Sequence, residues 1–127
     1  MTYLENRKKF SLFLKEPNPQ IVPAGETIFQ AGESGNLMYV IQSGSVDIIV
    51  GKQVVETADA GHIFGEMALI DHHLRSATAI AKTDCKLVPI DQKRFTFLVQ
   101  QNPYFAIEVM QVLAERLRHM NDTGISF

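Results

Sequence analysis

The amino-acid sequence predicts a mainly β domain of sandwich or barrel type with helices at its two ends. Three observations predict it. Glycines recur at positions 25, 32, 35, 44, 51, 61 and 65, the runs between them are short and rich in Val, Ile, Tyr and Phe, and the final third changes to longer stretches with helix-capping signals. Short strands punctuated by glycine belong to sandwiches and barrels, because each tight turn needs backbone angles that glycine adopts at little cost.

The elements follow in order. Thr2 and Glu5 have capping-box spacing, and Leu4, Phe10, Phe13 and Leu14 can share one side of a helix, so an N-terminal helix is expected over 1–16. Pro17 and Pro19 end it, since proline cannot continue the backbone ladder. Strands are expected at Gln20–Pro23, Thr27–Gln30, Leu37–Gln42, Ser45–Val50, Val54–Ala58, His62–Phe64, Ser76–Ala81 and Lys86–Ile90, all within 20–90. Asp91 has the chemistry of an N-cap for a helix to about Gln101, and Asn102-Pro103 reads as cap and first position of another ending near Asn121. These form a helical tail over 91–121. The last helix carries Phe105, Ile107, Val109, Met110, Val112, Leu113, Leu117 and Met120 around much of its girth. One stripe suffices to pack on the strands, so the excess predicts a second contact, either a partner helix or a lid over a ligand.

Composition bounds the function. With 127 residues, 46% hydrophobic and 20% charged, the chain fits one globular domain over 1–127. The lone Cys85 cannot close an internal disulfide, the N-terminus lacks the apolar core of a secretion signal, and no apolar run approaches the ~18 residues of a membrane span. A cytoplasmic, membrane-free protein is expected. Twelve basic against fourteen acidic side chains give a net charge of −2, which argues against a nucleic-acid surface. The basic cluster Arg7-Lys8-Lys9 reads as a solvated helix face.

One stretch does not fit strand and turn: Phe64-Gly65-Glu66-Met67-Ala68-Leu69-Ile70-Asp71-His72-His73-Leu74-Arg75-Ser76-Ala77. A glycine leading into a short helical turn presents unpaired backbone N–H groups, a seat for an anion. Arg75 adds a fork suited to two phosphate oxygens. Glu66 is out of place beside a phosphate unless it accepts hydrogen bonds from a hydroxyl. A phosphate on one side and a hydroxyl on the other describe a ribose phosphate.

The same run, Gly-Glu-x-Ala-Leu followed nine residues after the Glu by Arg-Ser-Ala, closely resembles the phosphate-binding cassette of cyclic nucleotide-binding domains. That family includes the regulatory subunits of cyclic-AMP-dependent protein kinase, the nucleotide-gated channels and the Crp/Fnr regulators. The Pro23-Ala24-Gly25-Glu26 turn, the Gly44 hairpin and the closing helices extend the likeness over nearly the whole chain. The resemblance implies an eight-stranded β-roll or jelly roll (a cupin-like double-stranded β-helix) with an N-terminal helix, a short cassette helix and two C-terminal helices. It implies a ligand site made of Phe64, Gly65, Glu66, Met67, Ala68, Leu69, Arg75, Ser76 and Ala77. In it Glu66 accepts from the ribose 2′-hydroxyl, the N–H groups of Ala68 and Leu69 meet phosphate oxygens, Arg75 neutralises the charge, and Ser76 adds a hydroxyl. Serine at 76 leaves cyclic AMP preferred over cyclic GMP. The base cap is expected from the last helix, with Leu113, Arg116 and Leu117 as candidates. The cassette tip, His72-His73-Leu74, departs from the family in lacking glycine or proline.

The resemblance implies no catalysis and no cofactor other than the nucleotide. Because no output domain is visible before Phe127, a stand-alone sensor is expected, signalling through the C-terminal helices, with a homodimer through the last helix as a partner. Two other readings compete. One is a ligand-free interaction module of the same fold, its cassette closed by a Glu66–Arg75 ion pair. The other is a metal-dependent cupin enzyme using His62, His72, His73 or His119. Adjacent His72 and His73 cannot point the same way from a strand, and His62-x-x-x-Glu66 lacks a third ligand, so no metal site is expected. Cys85 reads as a small core residue, and Met110 and Met120 as core or dimer-helix residues.

Overall fold

Strand residues alternate between two faces, so a strand covered on one side reads as alternating and one covered on both sides reads as continuously apolar. Both patterns occur here. The computed structural model describes residues 10–123, and within it the strands are β1 Gln20–Val22, β2 Thr27–Phe29, β3 Met38–Ser43, β4 Val46–Val50, β5 Gln53–Ala58, β6 Ile63–Phe64, β7 Thr78–Ala81 and β8 Cys85–Ile90. They form two four-stranded antiparallel sheets, ordered β1-β8-β3-β6 and β2-β7-β4-β5. Packed face to face, they make a jelly-roll β-roll. All eight expected strands are present, their ends within two residues of those expected.

The first sheet is the continuously apolar one. Tyr39, Ile41, Phe64, Cys85 and Leu87 point into the sandwich, where they meet Val46, Ile48, Ala58, Ala77, Ala79 and Ala81. Their neighbours Met38, Val40, Ile63, Val88 and Ile90 point the opposite way, into a second core shared with Phe10, Phe13, Leu69, Phe105, Val109 and Val112. The roll therefore has a helical layer over one sheet.

Three helices complete it: α1 Glu66–Asp71, α2 Gln92–Gln101 and α3 Tyr104–Thr123. Asp91 caps α2, its carboxylate accepting from the Arg94 N–H at 2.8 Å. The α3 helix begins one residue after Pro103, and its register puts Phe105, Val109 and Val112 on the sheet. Ile107, Met110 and Leu117 stay exposed. Phe105 is the hub, with its ring centroid 5.9 Å from Phe10, 6.2 Å from Phe13 and 5.5 Å from Phe95. Burying aromatic rings edge to face contributes beyond the area removed from water.

Only part of the N-terminal helix expected over 1–16 falls among the described residues. Residues 1–9, including the Thr2–Glu5 capping box and Leu4, lie outside the described residues. From Ser11 to Lys15 the chain is a 3-10 turn, closed by the Phe13 N–H donating to Phe10 O and the Glu16 N–H to Phe13 O. Phe10 and Phe13 are three apart and both are buried, while Leu14 turns outward. The tighter winding eclipses positions i and i+3, so it aims both rings at the sheet. Gln42 of β3 fixes the turn by donating to the carbonyls of Phe13 and Glu16 at 3.2 and 2.8 Å. Cys85 is buried as expected, its thiol donating to Ser45 O, and burial pushes the thiol pKa up.

Replacing Phe105 by Ala removes the ring on which the 3-10 turn, α2 and α3 converge. Stability in urea should fall by about 3–5 kcal/mol.

Candidate functional site

The site begins where β6 ends. Gly65 takes φ 78°, a left-handed conformation open to glycine, and this turns the chain from the sheet into α1. No side chain caps α1, so its first N–H groups are left to other acceptors. His72 closes α1, also left-handed at φ 55°, and the chain returns through Leu74 and Arg75 into β7. His72 and His73 lie exposed at this tip, with His73 Nε2 2.8 Å from Asp71. His62 is buried elsewhere, its Nδ1 accepting from the Asp59 N–H.

Between the cassette and the sandwich opens a small cleft, with an enclosed volume of about 50 Å³ and open to solvent at its mouth. Of the expected ligand residues, Phe64, Gly65, Glu66, Met67, Ala68, Arg75, Ser76 and Ala77 line it. Leu69 instead packs into the helix-side core. Among the three base-cap candidates Arg116 lines the cleft, Leu113 packs against the helix-side core, and Leu117 is exposed.

Arg75 is 7% exposed and is met by backbone rather than by a carboxylate. Its Nη1 donates to Gly65 O at 2.9 Å and its Nη2 to Leu37 O at 2.8 Å, while the guanidinium lies 4.0 Å over the Phe29 ring. Its Nε is buried with no hydrogen-bond partner among the described residues. Burial pulls the guanidinium pKa below its usual value, and the charges of Tyr39 and Glu33 act the other way. An arginine so placed still carries its charge near neutral pH. Phe29 belongs to an aromatic wall, with Tyr39 stacked on Phe64 at 5.1 Å. Burial raises the Tyr39 pKa, and the Arg75 charge opposes that rise.

Glu66 is 2% exposed and makes its ion pair with Arg116 of α3. Arg116 is itself 6% exposed and also donates to Glu56 of β5, at 3.4 Å from Nε and 3.3 Å from Nη2, and to Ile63 O at 2.8 Å. The Glu66–Arg75 pair that would close the cassette does not form. Arg116 meets both buried carboxylates instead, and Glu66, which lines the cleft, offers an acceptor to a hydroxyl donor entering beside it.

Sequence reasoning missed Phe29, Ile48 and Leu74 on the cleft wall, and missed Glu56. Glu56 left a signal: it lies two residues before Ala58 in β5 and opposite Ile48, so strand alternation puts its carboxylate on the core face.

Residues 19–102 match the family model described as the cyclic nucleotide-binding domain. The chain is 39% identical over 98 residues to a cyclic nucleotide-gated potassium channel of Rhizobium etli, covering 77% of this chain and 27% of the channel. It is 34% identical over 113 residues to the cAMP-activated global transcriptional regulator CRP of Pasteurella multocida, covering 84% of this chain and 54% of the regulator. The solved catabolite activator protein of Thermus thermophilus superposes with a TM-score of 0.76 at 31% identity, covering 87% of this chain and 54% of that one. The chain thus spans about a quarter to about half of the length of these relatives.

Two outcomes follow from the buried charges. Arg116→Ala removes the cation paired with buried Glu66 and one partner of Glu56, and should cost about 3–5 kcal/mol in urea unfolding. Because the Tyr39 pKa is raised on folding, its contribution is intact at neutral pH and is lost as pH climbs past about 10. Tyr39→Phe should therefore show a shallower alkaline decline than the parent.

Proposed function

Because the chain belongs to the cyclic nucleotide-binding domain family, we propose that its cleft takes a cyclic nucleotide, cyclic AMP in preference to cyclic GMP, as a non-catalytic sensor. The observation that carries this reading is the separation of Glu66 and Arg75: both line one cleft, both are buried, and neither neutralises the other. Arg75 and the N–H groups of Ala68 and Leu69 receive the cyclic phosphate, and Glu66 with Gly65 receives the ribose 2′-hydroxyl. Ser76 adds its hydroxyl to phosphate or base. The relatives support the ligand class, since one is named as cyclic nucleotide-gated and another as cAMP-activated.

The signal leaves through α3. Arg116 joins α3 to Glu66, so a hydroxyl arriving at Glu66 competes directly for an atom that holds the helix. That supplies the differential contact a ligand needs in order to shift a conformational equilibrium. Leu113 and Leu117 lie off the cleft, so capping of a base by either requires α3 to move over it. The exposed Ile107, Met110 and Leu117, with Ala114, recur at three- and four-residue spacing along α3. That spacing suits the seam of a two-helix contact and supports a homodimer through α3 as part of the reading.

Titration calorimetry with each nucleotide tests it. The parent chain should bind cyclic AMP more tightly than cyclic GMP, and Arg75→Ala should lose on the order of 2–5 kcal/mol of binding. Failure of both nucleotides to bind below about millimolar, or an Arg75→Ala variant that binds like the parent, overturns the reading.

A further inference from the structure

The guanidinium of Arg75 lies in a slot whose walls are two glycines. A Cβ on Gly35 would sit 2.6 Å from Arg75 Nη2 and 2.7 Å from Cζ, and one on Gly65 would sit 2.8 Å from Nη1. Heavy atoms do not approach so closely, so a side chain at either position displaces the guanidinium. The two glycines differ in one respect. Gly65 has a positive φ, so any substitution there is strained in the backbone as well, whereas Gly35 has an ordinary φ that alanine tolerates. Gly35 is glycine for the sake of its neighbour.

We propose that Gly35 is a positioning residue for Arg75: the loop between β2 and β3 forms a seat that admits the guanidinium only where this Cβ is missing. The loop holds Arg75 along its whole length. The Gly32 N–H donates to Arg75 O, the Arg75 N–H donates to Glu33 O, and Leu37 O takes the Nη2 donor, all at 2.8 Å. Main chain and head group are thus fixed by one eight-residue stretch, Gln30–Leu37, that need not touch ligand. With both terminal nitrogens anchored on carbonyls and Nε unpartnered, the guanidinium keeps its charge in a fixed place at the cleft. A group held in this way meets an anion without first being ordered. Because the displaced atoms are the far end of a flexible side chain, Gly35→Ala leaves the fold intact and moves the head group.

The consequence for ligand rests on the reading that Arg75 receives the phosphate; the seat itself does not. Gly35→Ala should weaken cyclic AMP binding by about tenfold or more in calorimetry, the scale of one lost charge-assisted hydrogen bond. In the unliganded protein the Arg75 Nε–H resonance should shift in the same variant. A double-mutant cycle on stability isolates the cause: Gly35→Ala should cost measurably in the parent and nothing in an Arg75→Ala background, where the slot is vacant. Equal costs in the two backgrounds, or a parent that binds cyclic AMP and a Gly35→Ala variant that binds it as well, would overturn the proposal. Should the parent bind no nucleotide, the functional reading falls, and the cycle and the resonance still decide the role of Gly35.

Discussion

A guanidinium withdrawn from water must be met by oxygen, and this molecule meets that demand twice within one cleft, by opposite means. Arg116 is surrounded by carboxylates and one carbonyl. Arg75 is surrounded by carbonyls and an aromatic face. The first arrangement cancels the cation; the second supports it without cancelling it. Much of the local architecture follows from the second. Gly65 must be bare and left-handed for its carbonyl to reach Nη1, and the β2–β3 loop must run close enough for Leu37 O to reach Nη2. An arginine held by carbonyls thereby stands on the cleft wall together with a carboxylate, Glu66, whose partner is Arg116. On the function proposed above, the arginine receives the anionic end of the ligand and the carboxylate its hydroxylated end.

Most of the fold was legible because its signals are local. Glycine spacing marked the turns, apolar runs marked the strands, and Asp91 marked the start of α2, where its carboxylate does cap Arg94. The cassette was legible for a related reason: Gly65, Glu66 and Arg75 lie within eleven residues, so one short loop brings them together and no distant pairing had to be guessed. The 3-10 turn at Ser11–Lys15 was not legible. Its residues are compatible with an α-helix, and what selects the tighter winding is the demand that Phe10 and Phe13 both reach the sheet, with Gln42 of β3 holding the turn there.

Arg116 and Glu56 show where sequence reasoning runs out. Arg116 stood among the base-cap candidates, yet its guanidinium lies among Glu56, Ile63 O and Glu66. Sixty positions separate Arg116 from Glu56, and fifty from Glu66, so their meeting depends on how α3 lies across the roll. Gly35 is subtler still. Turn chemistry asks nothing of it, since its φ is ordinary, and its requirement comes wholly from a side chain forty positions away.

The first sheet has cores on both faces, and its consecutive residues divide between them: Phe64 belongs to the sandwich beside the cleft, Ile63 to the layer under α3. A rigid strand cannot yield on one side without yielding on the other. The wall is a shared party wall, and the helical layer and the cleft are not separately tunable parts. Substitutions that loosen the packing of Phe105 or Val109 act at a distance on the shape of the aromatic lining, and drift in one layer constrains which residues the opposite layer tolerates.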